Sequence, residues 1–118
     1  MALPLLDNHA FVWGINTFDC LGLGDDEIWM ETSPQKLTID SAWTQVACGF
    51  CQTIALSRNG DVLTWGYIGY YSYDTSDTIK VPTKVTELSN ETVVKIACGL
   101  YHRAVVTSNG KLFTWYAK

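Results

Sequence analysis

Two stretches of the chain, QTIALS (52–57) and RAVVTS (103–108), carry the apolar, β-branched alternation of a strand. Each passes through a turn, RNG (58–60) or SNG (108–110), into a second such stretch, DVLTWG (61–66) or KLFTWY (111–116). Asn-Gly between strand-like runs predicts a tight hairpin whose two central residues sit at positive φ. Short apolar runs, VACG (46–49) and KIACG (95–99), precede each pair as a further strand. A fourth, weaker strand is expected from Pro34-Gln35-Lys36-Leu37 and Pro82-Thr83-Lys84-Val85. A proline at its start suits an outer edge, which need not donate every ladder hydrogen bond. No segment sustains helical periodicity.

These elements recur at a fixed distance. Ala97-Cys98-Gly99 follows Ala47-Cys48-Gly49, Ser108-Asn109-Gly110 follows Arg58-Asn59-Gly60, and Thr114-Trp115 follows Thr64-Trp65, each 50 residues on. Upstream, Phe11-Val12-Trp13-Gly14 matches Leu63-Thr64-Trp65-Gly66 at 52. Four antiparallel strands per repeat of this length make the blade of a β-propeller.

A Gly-Gly doublet, which kelch blades use, does not occur in the chain. The residues instead resemble the regulator of chromosome condensation repeat family. IACGLYHRAVVTSNGKLFTW (96–115) and VACGFCQTIALSRNGDVLTWG (46–66) follow its pattern, and WGINTFDCLGLGD (13–25) supplies its Trp-Gly-x-Asn and Gly-Leu-Gly loop. The markers that carry the resemblance are Trp13, Gly14, Gly22, Gly24, Cys48, Gly49, Gly60, Trp65, Gly66, Cys98, Gly99, His102, Gly110 and Trp115. Departures are the loop after Trp65, which lacks the Asn and the Gly-Leu-Gly, Gln52 at the usual His position, Arg103 at the usual Ser or Thr, and Tyr116 after Trp115.

The expected fold is therefore all-β: about two four-stranded antiparallel blades, an open fragment of a ring that the resemblance implies is usually seven-bladed. The expected divisions are 1–8 as a lead-in and 9–45 as the end of one repeat with its inter-blade loop. A complete repeat follows at 46–95, and a truncated one starts at 96–118. On this division the chain enters at the third strand of a blade. Two blades cannot close a ring, so the fold is expected to need further blades or self-association.

Composition adds limits. Hydrophobic residues make up 47%, aromatics 13% and charged residues 17%, an ordered and apolar balance. A net charge of −4 with eight scattered Lys and Arg leaves nothing to neutralise phosphates, so nucleic acid is not an expected partner. No apolar run is long enough for a membrane helix and the start is no secretory signal, so the expectation is no membrane and a cytoplasmic or nuclear place with reduced thiols.

CGFC (48–51) has the spacing of a redox pair. Cys48, however, recurs as Cys98, which has Tyr101 and not Cys three residues on, and a thioredoxin-like site needs a helix N-terminus that strands do not offer. Cys48, Cys51, Cys98 and His102 include four metal-ligand types but lack the spacing of a finger or ribbon. No catalytic residue, cofactor or metal is expected. Tyr67, Tyr70, Tyr71 and Tyr73 fall in an inter-blade loop, where a propeller presents side chains, and with Trp29 they are the candidate partner contacts. Trp43 is expected to pack, since Val93 is its counterpart.

The expected function is that of a non-catalytic protein–protein interaction module, a scaffold or adaptor. The resemblance implies roles in small-GTPase regulation or, through members that carry a BTB domain, in ubiquitin ligation. The alternatives are guanine-nucleotide exchange on a Ran-type GTPase, which the founding member's activity implies, and a truncated relative without activity of its own. Ultraviolet-sensing members carry Trp where this chain has Phe50 and Leu100, which disfavours photoreception.

Overall fold

The computed structural model describes residues 2–6, 9–25, 27–37, 42–67 and 78–116. Every sheet in it is antiparallel. The central sheet runs β4 (Trp43–Cys48), β5 (Gln52–Ser57), β6 (Val62–Tyr67), β7 (Thr78–Lys84) in chain order. Before it lies a three-stranded sheet of β1 (Ala2–Leu6), β2 (His9–Ile15) and β3 (Met30–Lys36). After it comes another of β8 (Val93–Cys98), β9 (His102–Thr107) and β10 (Leu112–Tyr116). Short 3-10 turns occupy Thr17–Asp19 and Thr86–Leu88. By position in the repeat, the first sheet holds the second to fourth strands of a blade and the last holds the first to third.

Three expectations change in detail. The lead-in contains a strand, β1, paired with β2 from Ala2↔Val12 to Leu6↔His9, so the chain enters at a blade's second strand. ALPLL has neither polar alternation nor the repeat's markers, which is why the pattern passes over it. The prolines do not open the outer strands. Thr32, Ser33 and Pro34 together face Trp13, and Lys80, Val81 and Pro82 face Trp65, so each proline sits in a bulge where a ladder bond is missing anyway. The hairpins are also not the two-residue kind. Gly60 is at φ 87° while Asn59 is not at positive φ, and the Gly60 N–H donates to the Ser57 carbonyl at 3.0 Å. That is a type I turn closed by a bulged glycine, with the Asp61 N–H on the Ser57 hydroxyl at 3.1 Å.

Burial follows from stacking. All six residues of β5 are buried, because both faces of the central sheet are covered. Ala55 faces the first sheet with Val12, Leu37, Trp43, Leu63 and Trp65, while Ile54 and Leu56 face the last with Val62, Leu88, Ile96 and Val105. Trp43 and Val93 pack as counterparts. At about 25 cal/mol per Å² of apolar area these two seams supply the main drive for stacking.

The central and last sheets are also tied by polar groups. The Gln45 amide donates to the Val94 carbonyl at 2.8 Å and accepts from the Ile96 N–H at 3.1 Å, clasping the free edge of β8. Nearer one end, the Phe50 N–H donates to the Leu100 carbonyl at 3.0 Å, and Gln52 Nε2 lies 3.3 Å from both the Gly99 and Leu100 carbonyls. The chain itself crosses this seam at the opposite end, through Val85–Thr92.

Candidate interaction surface

Antiparallel topology divides the connections between two rims. The turns 49–51 and 99–101 and the loop 16–29 lie at one rim, here the loop rim. The hairpins 58–61 and 108–111 and the connection 85–92 lie at the other, the hairpin rim.

Asn16 builds the loop 16–29. Its N–H donates to the Trp29 carbonyl at 2.9 Å, its side-chain amide donates to the Ile28 carbonyl at 2.9 Å, and its side-chain oxygen accepts from the Leu21 N–H at 3.0 Å. The loop then crosses the central sheet. The Trp65 indole N–H and the Thr53 hydroxyl both donate to the Cys20 carbonyl, at 3.0 and 3.1 Å. Gly22, at φ 71°, lies against the Trp65 ring so closely that a Cβ would come within 2.7 Å of it. Fixing both ends of the loop leaves Trp29 70% exposed and Ile15 61% exposed at the rim.

The two turns extend this surface. Phe50, Leu100 and Tyr101 are exposed, and the Phe50 and Tyr101 rings meet edge-on at 5.8 Å. Their carriers are held by the Phe50–Leu100 backbone bond across the seam. The hairpin rim is charged instead, with Lys84 on Asp61 at 3.2 Å and Lys111 on Glu91 at 3.3 Å. The loop rim thus gathers exposed aliphatic and aromatic groups from three sheets, whereas beside the hairpins the exposed apolar groups, Leu112 and Val106, come from the last sheet alone.

Of the candidate contacts, Trp29 stands at this surface. Tyr67 does not present itself to a partner: it is 5% exposed, and its ring packs on Phe18 with centroids 4.6 Å apart. Its place is the last residue of β6, at the foot of the loop, where the alternation turns the ring inward. Tyr70, Tyr71 and Tyr73 lie outside the described residues. Phe50, Leu100, Tyr101 and Ile15 are exposed at the same rim, and the sequence does not single them out because each is one residue beside a repeat marker and varies between repeats.

The cysteines form no disulfide among themselves. Cys48 is the last residue of β4 and is exposed. Burial pushes the Cys20 and Cys98 thiols up from 9.0 to about 11, and Cys51 is raised by burial too. A redox nucleophile needs the opposite shift. Among the described residues no group of three His, Cys, Asp or Glu side chains is arranged to hold a metal ion, and no helix is long and apolar enough to cross a membrane.

Comparison with known proteins gives consistent matches. The family model for the regulator of chromosome condensation (RCC1) repeat matches residues 7–56 and 59–106, and a second model for the same repeat matches 43–71. The bovine secretion-regulating guanine nucleotide exchange factor is 38% identical over 92% of this chain and 24% of its own length. The mitochondrial RCC1 domain-containing protein RUG3 of Arabidopsis thaliana is 33% identical over 92% of this chain and 25% of its own. Human HERC4, a probable E3 ubiquitin-protein ligase, is 35% identical over 93% of this chain and 11% of its own. The chain therefore spans a quarter or less of these relatives. Human WBSCR16 superposes with a TM-score of 0.84 at 26% identity, over 98% of this chain and 30% of that one. Yeast RCC1 (Prp20), in its complex with Kap60, superposes with a TM-score of 0.78 at 23% identity, over 93% and 28%.

Proposed function

The chain belongs to the regulator of chromosome condensation repeat family, and from that premise we propose that it is a non-catalytic protein-interaction module, a propeller segment acting as scaffold or adaptor. The observation that carries this reading is the apolar loop rim, where Ile15, Trp29, Phe50, Leu100 and Tyr101 are exposed together opposite a charged rim. Aromatic residues held on a rigid frame lose little entropy on binding and are preferred contact groups. Protein partners named for structural relatives, such as Kap60 for yeast RCC1, fit the same mode of use. Roles in ubiquitin ligation or in small-GTPase regulation fit the ligase and the exchange factor among the relatives. A cytoplasmic or nuclear setting fits four free cysteines, although one relative is mitochondrial.

The test is site-specific photocrosslinking in cells. A photoreactive residue at position 29, 50 or 100 should capture a discrete protein partner, and one at 59 or 109 should not. Capture from the hairpin rim alone would overturn the assignment of the face. A second reading, nucleotide exchange, draws on the exchange factor among the relatives. Release of labelled GDP from a Ran-type GTPase should be unchanged by this chain; acceleration would favour exchange.

A further inference from the structure

The two seams are filled differently. In the first, Thr53 and Trp65 are cross-strand neighbours that together hold the Cys20 carbonyl, and Leu21 is buried beside them. Fifty residues on, the same ladder positions carry Arg103 and Trp115, again direct cross-strand neighbours. Beside them lies a cavity of about 520 Å³ whose apolar wall includes Ile79, Val85, Leu88, Phe113 and Trp115.

Arg103 is 1% exposed. Among the described residues its one hydrogen bond runs from a terminal guanidinium nitrogen to the Tyr67 carbonyl at 3.4 Å, and its Nε has no partner there. Of the residues around it, Cys98 lies directly opposite on β8, but burial pushes that thiol to about 11, so it is neutral at physiological pH and supplies no counter-charge. Glu87 also borders the cavity; it is exposed and forms no ion pair with Arg103. A buried guanidinium with unfilled donors and, among the described residues, no anion is costly, and a carboxylate that reaches it makes strong, charge-assisted bonds in a low-dielectric site.

We propose that this seam pocket is a docking site for an acidic side chain of a partner protein, its carboxylate taken by Arg103 and a flanking apolar residue buried against Leu88, Phe113 and Trp115. The charge and the shape select together: the cation asks for an anion, and the wall asks for an apolar neighbour to it. The site lies in the seam, not on the loop rim, so it stands or falls apart from the reading given above.

The test uses the 118-residue chain and two capped peptides, acetyl-Leu-Glu-Leu-amide and its Gln counterpart, followed by the NMR signals of the Arg103 Nε–H and the Trp115 indole N–H. The Glu peptide is expected to shift both signals saturably and to bind about tenfold or more tighter than the Gln peptide. Arg103→Met should abolish that difference, and Arg103→Lys should keep part of it. If Arg103→Met fails to fold, the comparison of peptides on the native chain decides alone. Equal binding of the two peptides, no saturable shift with either, or an Arg103 Nε–H already bonded to a carboxylate of its own chain would each overturn the proposal. Binding of 4-phenylbutyrate without binding of the Glu peptide would also overturn it, since the occupant would then be a small acid.

Discussion

At the scale of single residues, the repeat markers resolve into distinct physical duties. Gly49 has no room for a side chain: a Cβ would stand 2.4 Å from the Gly99 carbonyl, a backbone atom that cannot swing away. Gly60 sits at φ 87° with nothing within 4 Å of the same added atom. Gly60→Ala should therefore cost only its conformational strain, about 1 kcal/mol, whereas Gly49→Ala should cost more than about 2 kcal/mol, read as urea midpoints. Asn59, expected at positive φ from the Asn-Gly signal, is not there, so Asn59→Ala should change stability by less than about 0.5 kcal/mol. A loss above 1 kcal/mol would argue for the two-residue turn after all. The thiols also carry a pH signature. Folded Cys20 and Cys98 hold their protons to about 11, while the unfolded chain releases them near 9.0. The unfolded state binds fewer protons between those values, so stability should be flat below about pH 9 and fall as pH rises to 11, seen in denaturant midpoints across that range. The same shift makes both cysteines slow toward iodoacetamide at neutral pH.

At the scale of elements, strand existence was legible wherever alternation and a repeat partner coincided, as in β5, β6, β9 and β10. The bounds were not. β4 and β8 begin at Trp43 and Val93, ahead of the apolar runs that announced them, because the register shifts at Thr44 and Val94 and breaks the alternation there. β1 carries no polar alternation, and β3 and β7 bend through bulges that the period of two does not describe. The candidate surface was harder to read still. Trp29 stood out as an odd tryptophan, but its exposure depends on Asn16 fixing both ends of a loop, a fact of hydrogen bonding across twelve residues. Tyr67, expected at an exposed loop, is buried because a strand's last residue still obeys the alternation of its faces.

At the scale of the whole molecule, the repeat period predicted sheets stacked like blades, and the fully buried β5 is the direct product of that stacking. What the period does not contain is the difference between one seam and the next. The departure at Arg103 was visible as a letter, yet only the packed arrangement shows that, among the described residues, Leu21 is buried in one seam and Arg103 borders a cavity in the other. The Gln45 clasp gives that second seam its own clock. The Ile96 amide donates not along its own ladder but to a side chain of the neighbouring sheet, its one partner among the described residues. Its exchange with deuterated solvent therefore times the parting of the two sheets, separately from the unravelling of either. Gln45→Ala should speed exchange at Ile96 while leaving the amides of the β8–β9 ladder slow; uniform acceleration across β8 would mean that the sheets part only by unfolding.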